Sequence, residues 1–161
     1  MRPAYDRLAT LDELLRRAGE LSAKTLVFDV EPLIAHWESG QDALDQGVKS
    51  VLARTRAIPG VQVVCFSTNS ARRPSSPLAG DGVRAEYLAL AGKPLRTAPY
   101  RDFPRPGVVI GDQLATDGAL ARRLGYTFLQ YYPDPGSLPL GPRLMDWTGQ
   151  LLRPLFFTRP R

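Results

Sequence analysis

Four short apolar runs constrain this chain more than any other feature. They are Lys24–Val30 (KTLVFDV), Val61–Phe66 (VQVVCF), Gly107–Ile110 (GVVI) and Tyr126–Tyr131 (YTFLQY). Each is too short for a helix and rich in β-branched or aromatic residues. None shows the polar alternation of a strand with one wet face, so each reads as a strand buried on both sides. The segments between them carry helical spacing. In Asp42–Ala57, Leu44, Val48, Val51, Leu52 and Thr55 share one face, and Pro59-Gly60 ends the helix. Thr116–Leu124 reads as a helix closed by Gly125. Before the first run, Thr10–Gly19 carries a capping box (Thr10 and Glu13) and the stripe Leu11, Leu14, Leu15, Ala18. Val83–Ala91 is also expected to be a short helix. Ala71–Gly82 reads as a loop. Leu95–Pro106, with Pro99, Pro104 and Pro106, resists any helix.

Strands alternating with helices predict a mainly parallel sheet covered on both faces, a three-layer α/β/α sandwich of the doubly wound type. The 161 residues suit one domain, with a core over about residues 22–133 and a C-terminal amphipathic segment over 143–157. Apolar residues are 43% of the chain, enough to build that core.

Composition narrows the chemistry. The single Cys65 excludes an internal disulfide framework and a multi-cysteine zinc site, and the single His36 excludes a histidine-rich metal centre. Cys65 lies inside an apolar run and reads as a small buried hydrophobe. His36, beside Trp37, reads as structural or surface. Catalysis would therefore rest on carboxylates, Ser, Lys or an oxygen-liganded metal. The net charge of +5 is carried mostly by arginine. The arginines are scattered and no nucleic-acid-binding module is recognisable, so no nucleic acid partner is expected. No signal peptide and no apolar run of membrane-spanning length is apparent, so a cytoplasmic location is expected.

Parallel sheets carry their sites at the carboxyl ends of the strands. Asp29 closes the first run, Ser67 follows the second and Asp112 follows the third, with Glu31 and Asp117 close behind. Asp and Ser also end strands for turn and capping reasons. Carboxylates gathered at one edge repel one another unless a cation or proton neutralises them, so the set suits Mg2+, which takes oxygen ligands.

The segments carrying these residues resemble the haloacid dehalogenase superfamily, and within it the YqeG-like phosphatases of subclass IIIA, over roughly residues 11–133. Gly111-Asp112-Gln113-Leu114-Ala115-Thr116-Asp117 is similar to the family's GDQxxTD motif. Ser67-Thr68-Asn69 is similar to its strand-ending hydroxyl motif, Lys93-Pro94 to its Lys motif, and Asp29-Val30-Glu31-Pro32-Leu33 to its DxDxT motif. The resemblance implies a capless Rossmannoid Mg2+-dependent phosphatase. Asp29 would be the nucleophile and Glu31 the acid/base. Ser67, Thr68, Asn69 and Lys93 would bind phosphate, and Asp29, Glu31 (through its carbonyl), Asp112 and Asp117 would serve the metal. Two positions depart from the pattern: Glu31 stands where the family has Asp, and Leu33 where it has Thr. The alternative is therefore a catalytically impaired binding or regulatory protein on the same fold.

The expected partner is a phosphorylated substrate of unknown identity. The tail, with Leu144, Met145, Trp147, Leu151, Leu152, Leu155, Phe156 and Phe157 among Arg143, Arg153, Arg159 and Arg161, is expected to pack on the sheet or on a second subunit of a homo-oligomer. Peripheral contact with an anionic membrane is the other reading.

Overall fold

A computed structural model describes residues 4–79 and 82–133, together with Phe157. Six strands form one all-parallel sheet in the order β1-β6-β5-β2-β3-β4. They are β1 (Tyr5–Leu8), β2 (Thr25–Asp29), β3 (Val63–Ser67), β4 (Arg84–Leu88), β5 (Gly107–Gly111) and β6 (Thr127–Tyr131). The helices are α1 (Leu11–Glu20), α2 (Gln41–Thr55) and α3 (Ala119–Leu124). A 3-10 turn occupies Ala98–Tyr100, and a π-helical turn over Leu114–Gly118 leads into α3.

Strand alternation divides the core into two layers. On one face Leu26, Phe28, Val64, Phe66, Val108 and Ile110 pack against Leu14 and Ala18 of α1 and Leu44, Val48 and Val51 of α2. On the other, Val27, Cys65, Val109 and Phe128 pack against Leu114, Leu120, Ala121, Tyr100 and Phe103. The molecule is thus a Rossmann-like three-layer sandwich, as expected. The capping box at α1 is also present: Thr10 Oγ1 accepts from Glu13 N, and Glu13 Oε2 accepts from Thr10 N.

Three expectations need correction. Val83–Ala91 is not a helix: Arg84–Leu88 is the edge strand β4, paired with β3 from Val63↔Arg84 to Ser67↔Leu88. Its Ala, Glu, Leu and Arg favour helix, but an open edge on β3 overrides that weak preference. β1 was not anticipated at all. The helix expected from Thr116 begins earlier, with the π-helical turn at Leu114. Between Lys93 and Gly107 the outer layer is a 3-10 turn and loop, whose Tyr100 and Phe103 fill the core in place of a helix.

The segment over 143–157 lies outside the described residues except for Phe157, whose ring packs 5.5 Å from Tyr5 and 5.9 Å from Phe128. Among the described residues no helix is long and apolar enough to cross a membrane.

The topology fixes where a site belongs. From β2 the chain crosses by α2 to β3 on one side, and from β5 it crosses by the π turn and α3 to β6 on the other. The two crossovers lie on opposite faces, so the carboxyl ends of β2 and β5 flank a crevice, the place where open α/β sheets bind ligands.

Candidate functional site

Asp29 ends β2, and in the alternation that points Phe28 to the α2 side it falls on the opposite face with Val27. Ser67, its register partner on β3, shares that face. Gly111 ends β5, and the π-helical turn brings the Asp117 carboxylate over it. A Cβ on Gly111 would lie 2.6 Å from Asp117 Cγ, closer than real side chains approach. Glycine there is what lets a buried acid reach the crevice.

Lys93 joins the two strands' acids. Its ammonium donates to Asp29 Oδ1 at 2.7 Å, to Asp117 Oδ1 at 2.7 Å and to the Ser67 carbonyl at 3.2 Å. Its backbone is clamped by Asn69, whose Oδ1 accepts from Lys93 N at 2.8 Å and whose Nδ2 donates to Lys93 O at 3.1 Å. Asp117 Oδ2 accepts from Gln113 N, and Asp29 Oδ1 from Val30 N. Asp112 differs from both: its Oδ1 is buried and has no hydrogen-bond partner among the described residues.

The electrostatics follow from this packing. Burial pushes the Asp29 carboxyl well above its usual range, and Asp117 adds to the shift, with Lys93 only partly opposing it. Asp112 is pushed up to about 7 by burial and then by Asp117. Burial alone would pull the Lys93 ammonium down, but Asp117 and Asp29 outweigh it and hold the lysine charged. Oxygen atoms of Asp29, Asp112 and Asp117 lie within 4.8 Å of one another. Three carboxylates thus face one ammonium, and the donors are the hard oxygens that suit Mg2+ or Ca2+. Both oxygens of Asp117 are engaged, Oδ1 by Lys93 and Oδ2 by Gln113, whereas Lys93 and Val30 both bond Oδ1 of Asp29, so Asp29 and Asp112 are the better placed to take an added cation.

Glu31 sits apart from this cluster. It is 5% exposed. Its Oε2 accepts from Thr68 Oγ1 at 2.6 Å, its Oε1 accepts from Ser70 Oγ at 3.2 Å, and Arg72 Nη1 stands 3.8 Å from Oε1. Arg72 also donates to the carbonyls of His36, at 2.9 Å, and Ser39, at 2.9 Å, tying the loop after β2 to the loop after β3. Sequence reasoning missed this clamp, since nothing in an isolated Arg within ARRP marks it.

Asp29, Glu31, Thr68, Asn69 and Lys93 all line one cavity of about 140 Å³, with Trp37, Ser70, Gln113 and Thr116. Ser67 is beneath it, fully buried, with Oγ 2.7 Å from the Tyr100 hydroxyl. Tyr100 was not foreseen as part of the site. Burial raises its phenol to about 12, so it remains protonated. His36 is exposed, and Cys65 is buried with its thiol pushed up by desolvation, as both were read from sequence.

No protein-family model, curated protein or solved structure matches this chain.

Proposed function

We propose that this chain is a Mg2+-dependent phosphohydrolase of the haloacid dehalogenase type, acting through a phosphorylated Asp29. The observation that carries the reading is the Asp29–Lys93–Asp117 bridge beside the buried Asp112 carboxylate, whose Oδ1 has no hydrogen-bond partner among the described residues, at the crevice between β2 and β5. A buried acid cluster with one oxygen left unsatisfied calls for a cation, and a cavity of about 140 Å³ beside it is on the scale of a phosphoryl group.

Bound at Asp29, Asp112 and the Glu31 carbonyl, Mg2+ would supply the positive charge that lets one anion approach another. Asp29 attacks phosphorus, a phosphorus–oxygen bond forms to its carboxylate, and the bond to the ester oxygen breaks. Glu31 gives a proton to the departing alcohol and takes one from the water that then cleaves the aspartyl-phosphate. Lys93 keeps Asp29 in place and balances charge on the transferring oxygens. In the Ser67–Tyr100 pair either oxygen can donate.

The test is hydrolysis of para-nitrophenyl phosphate and a panel of other phosphate esters with Mg2+, beside Asp29→Asn. Turnover that needs Mg2+ and is abolished in the variant supports the reading. Wild type no faster than Asp29→Asn on every ester rejects it.

A second reading, a non-catalytic binding or regulatory module, has one observation in its favour. Both Glu31 oxygens are held by hydroxyl groups, which makes the carboxylate a loop fastener as much as a proton carrier. Activity that emerges only in a Glu31→Asp, Leu33→Thr double variant would favour it.

A further inference from the structure

We infer that Trp37 is the platform on which the leaving group rests, and that the substrate is a phosphomonoester of a planar aromatic or heteroaromatic group. This rests on the phosphohydrolase reading of the cavity and names what that reading leaves open.

The cavity lined by Asp29, Lys93 and Trp37 measures about 140 Å³, below the roughly 300 Å³ at which pockets enclosing a whole small molecule begin. The rest of any ester must lie at the mouth. Among the described residues that line it, Trp37 is the one large apolar side chain; its companions there are acids, hydroxyls, amides and a lysine. A single flat indole amid polar groups offers no trough for an acyl chain. It does offer one face to a ring, the arrangement in which aromatic pairs and base–aromatic pairs gain most.

Trp37 is also held ready. It is 40% exposed, yet its backbone is fastened: Arg72 donates to the His36 carbonyl at 2.9 Å and to the Trp37 carbonyl at 3.5 Å. The His36 ring braces the indole edge-on at 5.3 Å between centroids. The same Arg72 lies against Glu31, so platform and cavity wall share one fastening. A large aromatic kept half in water on a pinned loop is preorganised for a partner.

Two measurements decide it. The first compares kcat/KM on phenyl phosphate and ethyl phosphate for wild type, Trp37→Ala and Trp37→Phe. Expected is a loss of about tenfold in Trp37→Ala on the phenyl ester alone, largely restored by Phe. The second reads binding without turnover. In Trp147→Phe protein, where Trp37 is the remaining tryptophan, 4-nitrobenzylphosphonate should quench emission beyond its effect on free tryptophan amide, and ethylphosphonate should not. If wild type hydrolyses no ester of the wider panel, the phosphohydrolase reading fails while the quench still supports the platform; turnover of other esters with none of phenyl phosphate overturns the inference and leaves the phosphohydrolase reading standing. Equal losses on both esters, no quench, or a dimer that depends on Trp37 overturns the inference.

Discussion

The ammonium of Lys93 lies 2.7 Å from Oδ1 of Asp117, a carboxylate with no solvent exposure at all. Asp29 on the far side of the same nitrogen completes a buried bridge between the end of β2 and the π-helical turn, which are distant in sequence. Removing one partner of such an arrangement leaves uncompensated buried charge, which costs about 3–5 kcal/mol. Lys93→Met should lose stability of that order at pH 8 by denaturant unfolding. The loss should shrink toward pH 5, because burial and Asp117 already raise the Asp29 carboxyl and protonation removes the repulsion.

Stability of the metal-free protein should fall as pH rises. Asp112 titrates near 7 when folded, against 3.8 for an ordinary Asp. Across that window the folded chain holds a proton that the unfolded chain releases, so the folded state binds more protons and raising pH favours unfolding. The Asp112 contribution ends above about 7, and Asp29, also raised, adds to the slope in the same direction. Calorimetry should show Asp112→Asn flattening the profile and raising Tm at pH 8. Added Mg2+ should raise Tm of wild type at pH 8 and leave Asp112→Asn unmoved.

Gly111→Ala tests the close approach of the π turn to β5. A Cβ there would meet Asp117 Cγ at 2.6 Å in a place with no room to yield. The variant should be destabilised by about 1–3 kcal/mol, typical of overpacking, and should lose activity along with the Lys93–Asp117 contact. Near-normal Tm and turnover would show that the turn shifts freely.

Glu31→Gln separates proton transfer from loop fastening. The amide keeps the size of the side chain but replaces one accepting oxygen by a donor, so one of the two hydroxyls of Thr68 and Ser70 loses its acceptor. Stability should drop by about 1–3 kcal/mol. If Glu31 also moves the proton, kcat should fall about a hundredfold or more with KM little changed. A loss of stability with kcat intact assigns Glu31 to the loop alone.

The sandwich was legible because its interior strands are buried on both faces and read as unbroken apolar runs. TLVFD and VVCFS are examples, each with its polar residue at the carboxyl end. The edge strands were not. YDRL and RAEYL each pair on one side only and carry charges, so neither shows a continuous apolar run. Asp29, Lys93, Asp112 and Asp117 could be picked out as strand-end and motif residues. What they do to one another could not, since Lys93 bridges Asp29 and Asp117 only through the Asn69 clamp and the gap at Gly111. Ser67 shows the same limit. Its position at the end of β3 was readable, but its bond to Tyr100 joins residues 33 apart in a proline-broken stretch.

The central claim is that Asp29 carries the phosphoryl group, and chemical trapping tests it most directly. Protein mixed with Mg2+ and para-nitrophenyl phosphate is quenched during turnover, treated with borohydride, and mapped by tandem mass spectrometry. Borohydride reduces an aspartyl-phosphate to homoserine. The account predicts homoserine at position 29, dependent on both substrate and Mg2+ and absent when either is left out. Turnover with Asp29 unmodified, or homoserine at another aspartate, would contradict it.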